Sequence, residues 1–162
     1  MAARFPAAVL IVLAALVAKV SAQTISLRIG PGIAYADGQG RSALLAFETH
    51  WRVLLVRADA RVVCVPDGVA EVGYAGVAAG AAPVVRGAGV RPYALAAVSR
   101  GVDFREADEL TTVGVAAGLD WCRSHLFAEL RYENSLQRSD PFHYRLPEHQ
   151  WTLCGGLRLG WL

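Results

Sequence analysis

Beyond its N-terminus the sequence has no hydrophobic run approaching the roughly 20 residues that a transmembrane helix needs. Yet 54% of its 162 residues are apolar and its mean hydropathy is +0.35. The apolar content is therefore spread over many short elements, which points to strands. Cysteine is scarce too. Cys64, Cys122 and Cys154 are odd in number, far apart, and form no CxxC pair. That excludes a disulfide framework and reads as isolated small apolar residues, with one bridged pair as the alternative.

What the chain does have begins with a secretory signal over residues 1–22. Arg4 provides the basic start, Ala7 to Ala18 the apolar stretch, and Val20-Ser21-Ala22 a small-x-small cleavage site. Cleavage is expected between Ala22 and Gln23, leaving residues 23–162 as one domain. An uncleaved anchor is the alternative, but the apolar run is short and stops at Lys19. No Cys follows the cut, which disfavours a lipoprotein. Losing Arg4 and Lys19 with the signal leaves 14 basic against 14 acidic residues. A mature chain of no net charge argues against a general nucleic-acid partner.

From residue 24 onward the pattern has a period of two. Ile25, Leu27, Ile29, Ile33 and Tyr35 fall on one face, with Ser26, Arg28, Gly30 and Gly32 on the other. Asp37-Gly38-Gln39-Gly40 signals a turn. Further strands are predicted over Ala43–His50, Val53–Val65, Val69–Ala82, Val90–Asp103, Thr111–Cys122, Leu126–Leu136 and Gln150–Trp161. A single helix over Ala43 to Val62 competes with the second and third. Eight strands of this length suit a bilayer. If the N-terminus lies in the periplasm, the longest and most charged connections, Phe104–Leu110 and Gln137–His149, face outward, as expected of outer-membrane barrels.

A soluble barrel alternates as well, so the chemistry of the two faces has to discriminate. Charges of both signs gather in mid-strand at Arg57, Asp59, Arg61, Glu129, Arg131 and Glu133, joined by Asp120 and Arg158. Balanced signs on one face fit a lumen ion-pair network in a small barrel filled by side chains. Aromatics sit at strand ends on the apolar face: Tyr35, Trp51, Trp121, Tyr132, Trp151 and Trp161. Those are the places for membrane-interface girdles.

The last strand, Gly156-Leu157-Arg158-Leu159-Gly160-Trp161, resembles the C-terminal assembly signal of outer-membrane barrels, with Gly156, Leu159 and Trp161 in the signal positions. It departs from that pattern at Cys154 and in ending on Leu162. Val90-Arg91-Pro92-Tyr93-Ala94-Leu95-Ala96 and Leu126-Phe127-Ala128-Glu129-Leu130-Arg131-Tyr132 are similar to strands of the small OmpA/OmpX-type barrel family. The resemblance implies an all-β, antiparallel, up-and-down transmembrane barrel in the bacterial outer membrane. It also implies contact with outer-membrane lipid, passage through the barrel-assembly machinery, and a monomer. It does not imply a single function, because such barrels serve as anchors, adhesins, stabilisers or enzymes.

Catalysis finds little support in the sequence. Ser135, in Tyr132-Glu133-Asn134-Ser135, stands where barrel lipid A deacylases carry a serine, but no His precedes it by two residues. A hydroxyl without a base in reach is not activated. His143 and His149 share a loop with only Glu148 nearby, a poor metal-ligand set. The expectation is a non-enzymatic barrel without cofactor or metal, stabilising the envelope or displaying loops. A soluble periplasmic, lipocalin-like barrel binding an apolar ligand is the alternative, and a lipid A-modifying enzyme a more distant one.

Overall fold

The period-two pattern becomes eight strands: β1 (Thr24–Ala36), β2 (Gly38–Trp51), β3 (Leu54–Cys64), β4 (Glu71–Ala81), β5 (Val90–Asp103), β6 (Glu109–Trp121), β7 (Leu126–Arg138) and β8 (His149–Trp161). The computed structural model describes residues 24–36, 38–64, 71–83, 89–104, 109–138 and 149–161. The signal segment 1–22, His143 and most of the Gln137–His149 loop lie outside them. Each strand pairs antiparallel with its sequence neighbours, and β8 returns to β1, so the sheet closes with no free edge. Closure satisfies the backbone groups that an open edge would leave bare.

The helix competing for Ala43–Val62 does not form: β2 and β3 are a hairpin in register from Arg41↔Cys64 to Trp51↔Leu54. The chain reverses at Arg52, whose φ of 56° lies in the left-handed region. That conformation is costly for a side-chain-bearing residue, and the closed ladder on both sides holds it. β2 starts at Gly38, earlier than Ala43, because Gly38, Gln39 and Gly40 extend the ladder opposite Ala36, Tyr35 and Ala34. β6 likewise begins at Glu109 and β7 runs on to Arg138, past a register shift between Thr111 and Thr112. That shift leaves Leu136 without a partner across the pair, the signature of a bulge.

The β1–β8 seam keeps one register on both sides of a gap at Gly30-Pro31, from Ile29↔Leu157 to Gly32↔Cys154. Pro31 has no N–H to give the ladder. The backbones approach closely there, since a Cβ on Gly156 would stand 2.1 Å from the carbonyl oxygen of Ile29. The three cysteines are unpaired, with Cys64 and Cys122 exposed and Cys154 buried.

Strand order defines two rims. The loop rim carries the β1–β2, β3–β4, β5–β6 and β7–β8 connections. The termini rim carries the other three connections and the start of β1 and end of β8. In β7, Leu130 is 47% exposed while Glu129 and Arg131, on either side, are 2% exposed. Large exposed apolar side chains occur on all eight strands, among them Ile29, Phe47, Val62, Val77, Val98, Val115, Leu130 and Leu153. The lumen, by contrast, buries Arg28, Arg57, Arg61, Arg131, Glu48, Asp59, Asp120, Glu129 and Glu133. A barrel living in water has these two faces the other way round.

Candidate functional site: the charged lumen

β3 and β7 stand opposite each other across the eight-stranded ring. Their inward residues read against one another rung by rung. Arg57 pairs with Glu129; Arg131 Nη2 lies 2.6 Å from Asp59 Oδ2; Arg61 Nη2 lies 2.5 Å from Glu133 Oε1. Arg131 also donates from Nη1 to Asp59 Oδ1 at 3.2 Å, making a two-pronged pair. Planar guanidinium against carboxylate is the geometry that arginine suits and lysine does not. The rungs are cross-linked, with Arg131 Nη2 3.3 Å from Glu129 Oε1 and Arg61 Nε 3.7 Å from Asp59 Oδ1. Three cations meet three anions, and the contacts span the barrel's diameter.

Towards the termini rim lies a second group. Arg28 Nε is 2.6 Å from Glu48 Oε1, and its Nη2 is 2.8 Å from Asp120 Oδ1. Arg57 Nη2 lies 2.7 Å from the same Glu48 oxygen and so links this group to the ladder. Arg91 Nη2 is 2.8 Å from Asp120 Oδ2. Arg158 Nε approaches Glu48 only to 3.8 Å and Asp120 to 3.7 Å. His50 Nε2 lies 3.6 Å from Glu48 Oε2.

Tyr93 joins the two groups. Its hydroxyl accepts from Arg28 Nη1 at 2.9 Å and donates to Glu129 Oε2 at 2.8 Å. Its ring lies under the Arg28 guanidinium, 4.5 Å from the centroid, a cation–π contact that offsets part of the desolvation of that charge. Space for the ring comes from Gly118, where a Cβ would fall 2.4 Å from the Tyr93 hydroxyl.

Nearer the loop rim the lumen turns apolar: Ala34, Val63, Val72, Tyr74 and Leu110 form one buried cluster. Tyr74 donates to Gln150 Oε1 at 2.8 Å, and its ring carries the Arg61 guanidinium at 4.8 Å.

Of the aromatics named from sequence, Tyr35, Trp51, Trp121, Tyr132 and Trp151 fall towards the two rims on the outer surface. Tyr35 and Trp151 pair across β1–β8 and Tyr132 and Trp151 across β7–β8, the latter two rings 4.7 Å apart. Tyr132 Oη and His149 Nδ1 lie 3.0 Å apart beside them. Trp51 and Trp121 are exposed at the ends of β2 and β6, on the termini rim. Trp161 ends β8 on that rim, and its side chain lies outside the description. Of the assembly-signal residues, Gly156 sits at the seam and Leu159 is exposed on the outer face. Ser135 neighbours Asn134, the partner of His149. Adjacent strand residues point to opposite faces, which puts Ser135 and His149 on different sides of the sheet.

All eight residues named for the lumen (Arg57, Asp59, Arg61, Asp120, Glu129, Arg131, Glu133 and Arg158) contact at least one other member of that set. Arg28, Glu48, His50, Arg91 and Tyr93 were missed. Arg28 shares the face of Ser26, a signal that was available. Glu48 follows Leu44-Leu45-Ala46-Phe47, where no alternation shows which face is which; only pairing with Arg57 across β2–β3 settles its side.

No family model matches the sequence, and no curated protein matches it either. In fold it is similar to the crystal structure of Neisserial surface protein A, with a TM-score of 0.60 and 14% identity over 84% of this chain and 95% of that one. The chain thus has the eight-stranded antiparallel barrel fold that the sequence resemblance to small outer-membrane barrels implied.

Proposed function

We propose that this protein is a non-enzymatic integral outer-membrane barrel whose side-chain-filled lumen does not conduct and whose role is to stabilise the envelope or to display its loops. The observation that carries this reading is the inversion of the wall. Soluble monomers rarely expose apolar patches beyond a few hundred Å², yet here every strand exposes large aliphatic side chains while the mid-strand charges of β1, β3 and β7 lie inside. Lipid tails are the solvent that such a wall fits, and interface aromatics at both rims suit the boundaries of a bilayer. Pairs across the full diameter, between β3 and β7, support a closed lumen. The similarity to a Neisserial surface protein agrees with a place in the outer membrane. In this reading residues 1–22 are removed on export, the termini rim faces the periplasm, and the ten-residue 139–148 connection faces outward.

The test is fractionation with gel analysis. The mature protein is expected in the outer-membrane fraction, starting at Gln23, with heat-modifiable migration and no steady conductance in planar bilayers. Recovery from the soluble periplasm, or with Met1 intact, contradicts the reading. An open-channel current contradicts the closed lumen.

A further inference from the structure

The group at the termini rim is short of negative charge. Among the described residues, Arg28, Arg91 and Arg158 face two carboxylates there, Glu48 and Asp120, and Glu48 is also engaged by Arg57. Arg158 Nε, at 3.8 and 3.7 Å from those two carboxylates, is beyond hydrogen-bond reach and has no such partner among the described residues. Arg91 Nη2 and Arg158 Nη2 converge on one atom, His50 Nε2, at 3.3 and 3.4 Å. A neutral imidazole has a single lone pair there, so it can serve one guanidinium at a time. The other ring nitrogen, Nδ1, is buried and unpartnered among the described residues, although His50 itself is only 4% exposed.

This corner is also the part of the network that opens. The side chains of Arg91 and Arg158 are 16% and 14% exposed, against 0% for Arg28 and Arg57. The rim around it adds charge of the same sign. The three connections on this rim, residues 52–53, 82–89 and 122–125, hold Arg52, Arg86, Arg123 and His125 and no Asp or Glu. Connections on the opposite rim carry six acidic residues, Asp37, Asp67, Glu106, Asp108, Asp140 and Glu148, against two arginines, Arg105 and Arg145. A mouth of one sign over a low-dielectric wall focuses field and concentrates counter-ions.

We propose that the lumen mouth formed by Arg91, Arg158 and His50 binds a phosphate-type oxyanion. Two convergent guanidiniums suit a tetrahedral anion with several acceptor oxygens better than a point charge. Binding supplies the missing negative charge, separates two like charges that share one acceptor, and gives Arg158 the close partner that Glu48 and Asp120 do not. Free phosphate and the phosphate of a lipid headgroup share this chemistry. The site does not depend on which membrane holds the barrel.

The experiment uses protein purified from membranes in uncharged detergent, titrated with inorganic phosphate and followed by phosphorus NMR. In parallel it is titrated with vesicles of phosphatidylglycerol, with phosphatidylcholine as the neutral reference. Saturable one-site binding is expected, at least tenfold weaker in Arg91→Gln and in Arg158→Gln. Arg41→Gln, an exposed change near the other rim, leaves it unaltered. A response to inorganic phosphate identifies a free solute; a response to phosphatidylglycerol alone identifies a headgroup. Heat-modifiable migration checks that each variant is folded. Should either fail to fold, thermal unfolding of the unaltered protein decides: phosphate raises the midpoint in proportion to its logarithm beyond chloride of equal ionic strength. Absence of saturable binding to both probes, equal binding by the arginine variants, or a midpoint raised neither by phosphate over chloride nor by phosphatidylglycerol over phosphatidylcholine overturns the proposal.

Discussion

The ladder between β3 and β7 and the cluster at the termini rim use the same residue types and behave as opposites. In the ladder Arg57, Asp59 and Arg61 meet Glu129, Arg131 and Glu133 one for one, across the full diameter and out of reach of water. The cluster crowds three arginines and a histidine around two carboxylates, with Arg91 and Arg158 partly open to solvent. Toward the loop rim the ladder gives way to Val63, Val72 and Leu110; around the cluster lie the buried apolar side chains Leu55, Ala82 and Phe127, the ring centroid of the last 5.0 Å from the Arg28 guanidinium. A buried charge is tolerable when fully paired and hydrogen-bonded, so strict complementarity belongs where water is absent. Surplus charge is tolerated only where solvent or a counter-ion can reach it. Charge is thus matched one for one in mid-lumen and left in surplus towards the termini rim.

The sharpest way to break this contrast is to remove the residue that belongs to both regions. Arg57→Leu strands Glu129 and Glu48 without their shared cation, and should cost about 3–5 kcal/mol in reversible unfolding from lipid vesicles. Next comes the outer wall: Leu130→Arg puts a charge on the exposed face in mid-strand, expected to cost about 2–4 kcal/mol near the bilayer midplane in the same assay. Gly118→Ala forces a Cβ against the Tyr93 hydroxyl and the Ala128 carbonyl oxygen, each 2.4 Å away. That overpacking should cost about 1–3 kcal/mol, with altered Tyr93 absorbance as the local readout. The smallest effect belongs to the cluster. Arg158→Gln loses only long contacts from a partly exposed group, and should change stability by less than about 1 kcal/mol, less still in high salt. If Arg158→Gln cost as much as Arg57→Leu, the two regions would not differ as described.

Much of this was legible beforehand because a strand's side chains alternate strictly. Once Arg57, Asp59 and Arg61 fall on one face and Glu129, Arg131 and Glu133 on another, complementary signs at equal spacing suggest that the two triplets meet. β2 was harder to read. Leu44-Leu45-Ala46-Phe47 is apolar on both faces, since Leu44 and Ala46 cover the lumen while Leu45 and Phe47 face outward. Its phase, and with it Glu48, depends on pairing with β3 rather than on its own residues. The start of β2 at Gly38 escaped for a related reason: Gly-Gln-Gly is a turn signal in isolation, but a ladder partner opposite the end of β1 overrides it. The cluster was invisible as a group, because Arg28, Glu48, Arg91 and Asp120 come from four strands and meet only when the barrel closes.

The central claim is that charge lies inside and the apolar wall outside, and Arg131→Leu tests it most directly. Unfolding free energy is measured for this variant and the unaltered barrel, refolded into the same lipid vesicles. With Arg131 buried between Asp59 and Glu129, the substitution takes from Asp59 its two-pronged partner, leaving it only Arg61 Nε at 3.7 Å, and is expected to lower stability by about 3–5 kcal/mol. A change within about 0.5 kcal/mol, as for an ordinary surface residue, would mean that Arg131 faces solvent and would contradict the account.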